Sequence, residues 1–188
     1  GTVTNSKSTG ILNITGGETG KEIVGTISNT GKAKIENMAI SYTSSYNNHE
    51  IAVNNSGVMN MENSSIYIKN TTSTNSRNYS TCAMYNSGTL TSTENTYTAI
   101  HEYNNQRSKN LIGIENYGIL TSNYDTMNAT FGLNAYAIYT SSSNAVVINN
   151  ITANINNSTT GYGIRHQGGE DTTVNGGEVI VTGNNNGF

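Results

Sequence analysis

The chain has 188 residues, a formal charge of −3, 34% hydrophobic and 11% charged residues, and one cysteine. That length suits a single domain with a real core, and the charge balance excludes the clustered basic surface that nucleic acid requires. One cysteine rules out an internal disulfide or a multi-cysteine metal site, and no apolar run nears the ~18 residues of a membrane span.

Roughly four residues in ten are Asn, Ser or Thr, far above average usage. The low net charge and the fixed spacing of the apolar residues argue against disorder. No basic, apolar leader opens the chain, so residues 1–188 are expected to be one mature domain, or a fragment of a longer surface protein.

In chain order, Val3, Asn5, Gly10, Leu12 and Ile14 read as an irregular first coil. A phrase then repeats: an apolar residue, Asn two places on, Gly two further, and a second apolar residue two beyond that. It runs Ile27, Asn29, Gly31, Ala33; Val53, Asn55, Gly57, Met59; Met84, Asn86, Gly88, Leu90; and Ile114, Asn116, Gly118, Leu120. The glycines advance by 57 − 31 = 26, 88 − 57 = 31 and 118 − 88 = 30 residues. A period in this range signals a solenoid whose repeats bury their apolar faces only by stacking.

Aligned on the phrase, the first strand carries Ile27, Val53, Met84, Ile114, Ile138 and Ile164, with Gly25, Ile51, Cys82, Ile112, Tyr136 and Tyr162 two places earlier. Between them stand the small residues Thr26, Ala52, Ala83, Gly113, Ala137 and Gly163. Period-2 alternation places the large residues inside and the small ones outside, so Cys82 is expected to be a core residue. After the glycine a second strand carries Ala33/Ile35, Met59/Met61, Leu90/Ser92 and Leu120/Ser122. Two inserted residues bring Val146/Ile148 and Thr172/Val174 into line with them. A third strand carries Ile40/Tyr42, Ile66/Ile68, Tyr97/Ala99, Met127/Ala129, Ala153/Ile155 and Val179/Val181.

Three short strands per coil and no helix-period segment predict an all-β, right-handed parallel β-helix of about seven coils. The complete lack of proline suits central strands, and glycine at the first corner is expected to supply a backbone conformation costly for other residues. The Asn29, Asn55, Asn86, Asn116 column is expected to form a hydrogen-bonded ladder, ending where Thr140 and His166 replace Asn. The segment Asn86-Ser87-Gly88-Thr89-Leu90-Thr91, with Thr9-Gly10-Ile11-Leu12-Asn13-Ile14-Thr15-Gly16-Gly17, resembles the right-handed parallel β-helix repeats of bacterial surface adhesins and autotransporter-like passengers. The resemblance covers nearly the whole chain and implies a pectate-lyase-like architecture on an extracellular, cell-surface protein.

The same scaffold serves polysaccharide-cleaving enzymes, but glycoside hydrolysis needs two positioned carboxyl groups. Asp125 and Asp171 are the only aspartates and stand about two coils apart, while Glu36 and Glu62 share an outward column beside Lys34. No catalytic residue, metal ligand set or cofactor motif is assigned. Arg165-His166-Gln167-Gly168-Gly169-Glu170-Asp171 is a compact polar cluster able to hold an anionic sugar or a cation, or simply a corner whose charges pair locally.

Insertions in a solenoid collect on one side, often the binding side. Here they fall at 43–49, 69–81 and 101–110, and hold four of the nine Lys/Arg (Lys69, Arg77, Arg107, Lys109) and two of the three His (His49, His101). Tyr46, His49, Arg77, Tyr79, Tyr103 and Arg107 are the expected ligand-binding residues, their rings and donors suiting glycan or peptide recognition. The partner would be a glycan or a host surface protein. The outward column Ser28, Asn54, Tyr85, Glu115, Tyr139, Arg165 is a second candidate face. The alternative to an adhesin is a structural stalk or fibre subunit associating through exposed strand edges at the solenoid ends. A polysaccharide lyase or hydrolase comes third.

Overall fold

The computed structural model describes residues 2–6, 10–15, 21–45, 48–72, 80–102, 110–168, 171–183 and 186–187. The first turn is β1 (Thr2–Asn5), β2 (Leu12–Thr15) and β3 (Lys21–Val24), and the second β4 (Thr26–Asn29), β5 (Lys32–Glu36) and β6 (Met38–Ser44). Next come β7 (Glu50–Asn55), β8 (Val58–Glu62) and β9 (Ser65–Asn70), then β10 (Ser80–Asn86), β11 (Thr89–Thr93) and β12 (Thr96–His101). They are followed by β13 (Asn110–Asn116), β14 (Ile119–Asn123) and β15 (Thr126–Thr130), then β16 (Asn134–Thr140) and β17 (Val146–Asn156). The chain continues through β18 (Thr160–His166) and β19 (Thr172–Thr182) to β20 (Asn186–Gly187).

Every strand pairs in parallel with its counterpart one turn away, giving an all-β parallel solenoid. One sheet runs β1-β4-β7-β10-β13-β16-β18-β20. The second and third strand positions merge into another sheet, because β17 and β19 run unbroken from one position into the next. The solenoid has about six turns, fewer than the seven expected. The first-corner column Asn5, Asn29, Asn55, Asn86, Asn116, Thr140 and His166 explains why, since seven members enclose six intervals.

The second and third strands follow the expected register, including Leu120↔Val146 across the two inserted residues and Met127↔Ala153. Their inward side chains build the core, with Met59, Leu90, Leu120, Ile66, Tyr97 and Ile155 all at 0% exposure. Each large aliphatic or aromatic side chain so buried contributes roughly 1.5–3 kcal/mol.

The first strand departs from simple alternation. Ala52, Ala83 and Ala137 lie in the main core beside Val53, Met84 and Ile138, the next residues in the chain. Two successive inward residues require a bend, and the ladder skips it: pairing jumps from Cys82↔Ile112 to Met84↔Ile114. Only small side chains fit inside the bend, since a Cβ on Gly113 would stand 2.6 Å from the Ala137 carbonyl oxygen and one on Gly163 2.5 Å from Val179 Cγ2. The expected facing is therefore reversed here. Cys82, Ile112 and Tyr136 leave the main core and form a separate outer cluster with Ile51, Tyr85, Tyr139 and Tyr162.

The first-corner glycines also serve differently than expected. The described positive-φ glycines are Gly10, Gly25, Gly176, Gly177 and Gly183, so Gly57, Gly88 and Gly118 need no left-handed conformation. They are glycine because successive corners stack too closely for a side chain. A Cβ on Gly57 would stand 2.1 Å from the Gly31 carbonyl oxygen, and one on Gly88 2.0 Å from that of Gly57. Left-handed residues fill the second corner instead, at Asn37, Asn63, Glu94, Tyr124, Asn150 and Gly176, with φ between 46° (Asn63) and 69° (Gly176), and Phe131, Asn157 and Gly183 adopt the same conformation after the third strand position.

The asparagine ladder forms and begins one turn earlier than its repeat. Asn5 donates to Asn29, Asn29 to Asn55, Asn55 to Asn86 and Asn86 to Asn116, all through Nδ2 to Oδ1 at 2.7–2.8 Å. It closes with Asn116 Nδ2 on Thr140 Oγ1 at 3.2 Å. A second buried network lies beyond the left-handed corner. Asn95 Oδ1 accepts from the Ser64 amide, and Asp125 Oδ1 from the Asn95 amide, each at 2.8 Å. Asp125 Oδ2 takes the Ser122 hydroxyl at 2.6 Å. Burial pushes the Asp125 carboxyl up while these donors oppose the shift.

Candidate functional site

The reversed column sets tyrosines on the outer face of the first sheet. Tyr85, Glu115, Tyr139 and Arg165 follow one another in register on β10, β13, β16 and β18. Tyr136 and Tyr162 occupy the outward column three residues before Tyr139 and Arg165. Tyr117 stands on the first corner, after β13. Ring centroids lie 5.5 Å apart for Tyr85–Tyr117, 6.4 Å for Tyr117–Tyr139, 5.6 Å for Tyr136–Tyr139 and 5.0 Å for the stacked pair Tyr136–Tyr162. A cleft of about 230 Å³ opens among Glu115, Tyr117, Tyr136, Tyr139, Arg165 and Gln167, with Ser80 and Asn110 on its rim.

The polar groups hold the rings in place. Glu115, only 8% exposed at its side chain, accepts from Tyr117 Oη at 3.0 Å through Oε1, and its Oε2 lies 2.9 Å from His49 Nε2. Tyr139 Oη donates to Gln167 Oε1 at 2.8 Å. Arg165 Nη1 donates to Tyr136 Oη at 3.1 Å, and the guanidinium carbon lies 5.7 and 5.4 Å from the Tyr136 and Tyr162 ring centroids. Burial and the Glu115 carboxylate push the Tyr117 and Tyr85 phenols up. Burial raises that of Tyr136, with Arg165 pulling the other way. The Tyr85, Tyr117 and Tyr136 phenols therefore stay protonated near neutral pH, and Tyr117 keeps its hydrogen bond to Glu115.

Of the expected ligand-binding residues, only His49 is described. It reaches across two turns to Glu115 and stands edge-on to Tyr85 at 5.9 Å between centroids, joining this face. Tyr46, Arg77, Tyr79, Tyr103 and Arg107 lie outside the described residues. His101 is not available to a ligand: it ends β12 wholly buried, with Nε2 3.1 Å from the Thr72 carbonyl oxygen. Cys82 is also sealed, its Sγ donating to the Met84 carbonyl at 3.0 Å, and burial with the nearby Glu115 charge pushes the thiol well up.

The outward column was legible in the sequence. Tyr136 and Tyr162, expected inward by period-2 alternation, face outward, and their replacement of Ile112 in consecutive turns is the signal that marks them. Elsewhere, Asp125 is buried at 0% exposure and reaches no surface, while Glu36 and Glu62 stack in register beside Lys34, which pairs with Glu36. Arg165 and Gln167 of the polar cluster face the cleft, whereas His166 Nδ1 meets Thr172 Oγ1 at 2.9 Å. Among the described residues no group of three or more His, Cys, Asp or Glu is placed to hold a metal ion. No protein-family model, curated protein or solved structure matches the chain.

Proposed function

We propose that this solenoid is a non-enzymatic extracellular binding module of the adhesin type, and that it takes a glycan on the tyrosine-lined face. The observation that carries this reading is the gathering of five tyrosines, Tyr85, Tyr117, Tyr136, Tyr139 and Tyr162, beside Arg165 on one sheet face. Tyrosine offers a rigid apolar ring for the C–H face of a sugar and a hydroxyl for its edge, at low cost in side-chain entropy. The hydroxyl protons of Tyr117 and Tyr139 are committed to Glu115 and Gln167, so their outward lone pairs accept from sugar hydroxyls.

A glycan array with purified protein tests this. Hits that vanish with Tyr139→Ala support the sheet face. Hits that survive it but vanish with Tyr79→Ala plus Tyr103→Ala move the site into the loops, and an array without hits refutes glycan recognition.

A further inference from the structure

We infer that the cleft selects an acidic sugar: an oxyanion on the ligand, carboxylate or sulfate, docks on Arg165 while the ring carrying it lies against Tyr139. The inference rests on the glycan reading above and names the chemistry of its ligand. Three observations carry it.

The first is the state of Arg165. Among the described residues its guanidinium has no carboxylate within ion-pair distance; it has one hydrogen bond, to the Tyr136 hydroxyl, and two tyrosine rings beside it. A guanidinium carries five N–H donors in a planar fork matched to oxyanions. One donor is used, so a bidentate pair remains available to a ligand. Tyr136 and Tyr162 hold the fork in position, which reduces the entropy lost on binding.

The second is the polarity of the cleft. Glu115 and Arg165 share one outward column, separated by Tyr139, so they stand two turns or about 9.6 Å apart. Glu115 is occupied on both oxygens, by Tyr117 and His49, and its side chain is 8% exposed, so its end of the cleft offers little to an incoming cation. The accessible charge is the positive one. An anionic group is thereby directed to the Arg165 end, and the tyrosine ring between the charges is left for the sugar body.

The third is Gln167. Its Oε1 accepts from Tyr139, which turns Nε2 away as a free donor beside Arg165 on the same wall of the cleft. A neutral amide donor next to a guanidinium suits an oxyanion together with the hydroxyl or ring oxygen adjacent to it. A neutral sugar would keep the stacking and hydroxyl contacts but leave the guanidinium without a charge partner.

The test is titration calorimetry of the purified protein with three related probes: lactose, sialyllactose and 3′-sulfolactose, with sodium sulfate alone as a fourth. The expected result is binding of one or both acidic probes at least tenfold tighter than lactose, weakening as salt is raised. Arg165→Gln should remove about that tenfold preference, weakening the acidic probes far more than lactose, as expected for loss of a charge-assisted pair. Arg165→Lys should restore only part of it, and an unchanged melting temperature would show that neither variant is misfolded. Sialyllactose and sulfolactose distinguish a carboxylate from a sulfate ligand.

Equal affinity for neutral and acidic probes overturns this inference and leaves glycan recognition intact. A preference that survives Arg165→Gln overturns the assignment to Arg165. Sodium sulfate binding as tightly as sulfolactose makes the site a simple oxyanion hole and overturns the sugar contact. Binding of none of the probes overturns this inference, and an array without hits would then overturn the parent reading with it.

Discussion

Replacing Asn86 tests whether the ladder stabilises the solenoid or merely accompanies it. Asn86 is wholly buried, accepts from Asn55 Nδ2 at 2.8 Å, and donates to Asn116 Oδ1 at 2.7 Å and the Ile119 carbonyl at 3.0 Å. In Asn86→Ala, Asn55 Nδ2 keeps its bond to the Thr89 carbonyl at 3.0 Å, so little is lost on that side. Asn116 Oδ1 keeps only the long bond from the Gly118 amide at 3.3 Å, and the Ile119 carbonyl loses its side-chain donor. With a net ~1 kcal/mol per bond and ~1–3 kcal/mol for a buried group left short, the loss should be about 2–4 kcal/mol. Urea unfolding followed by circular dichroism reads it as a lower midpoint at unchanged slope. Asn86→Asp should cost more at neutral pH, because a carboxylate oxygen then faces Asn116 Oδ1. Part of that cost should return in acid, where the protonated group can donate again. Asn60→Ala, at an exposed position of β8, should stay within about 0.5 kcal/mol. A loss in Asn86→Ala as small as in Asn60→Ala would refute the reasoning.

Three further outcomes are expected. Gly88→Ala should destabilise by about 2 kcal/mol or more, because its Cβ meets a backbone oxygen of the previous turn. Gly10→Ala, with φ of 89° and open space around it, should cost only about 1 kcal/mol, and urea midpoints that reverse this order would contradict the close-approach account. Cys82 should resist Ellman's reagent in the folded protein and react fully in urea; rapid labelling of the native state would show that the tyrosine layer does not seal it. The folded Asp125 carboxyl is raised above its ordinary value, so the folded state binds more protons between the two values, and this group's contribution grows more favourable as pH falls through the raised folded value towards the ordinary one. Asp125→Asn should therefore match or exceed the parent at pH 7 and lose that advantage at pH 4.5, whereas an equal stability difference at both pH values would refute the assignment.

The architecture was readable because a solenoid writes the same physical requirement into every turn. Leu90, Leu120 and Val146 recur as core residues in register, and Asn29 to Asn116 recur as a ladder, so each turn confirms the next. The bend in the first strand was harder to read. Period-2 alternation treats Ala83 as an outward neighbour of Cys82, whereas the small column reflects the inside of a turn. Glycine posed a similar ambiguity: composition does not separate a left-handed φ from a close backbone approach, and here Gly57 and Gly88 are the second kind while Glu94 and Tyr124 adopt the left-handed corner. The cleft was half visible. Tyr85, Glu115, Tyr139 and Arg165 fell in one outward column, but the stacking of Tyr136 on Tyr162, and the reach of His49 over two turns, depend on tertiary geometry that no local pattern encodes.

The central claim is that the outer face of the first sheet is where this solenoid meets its ligand. Chemical-shift mapping on isotope-labelled protein, titrated with the best glycan from an array, tests that claim directly. The account predicts perturbations centred on Tyr139, Arg165 and Gln167, extending to Tyr117 and Tyr136. Perturbations confined to residues 73–79 and 103–109, with the sheet face silent, would contradict it.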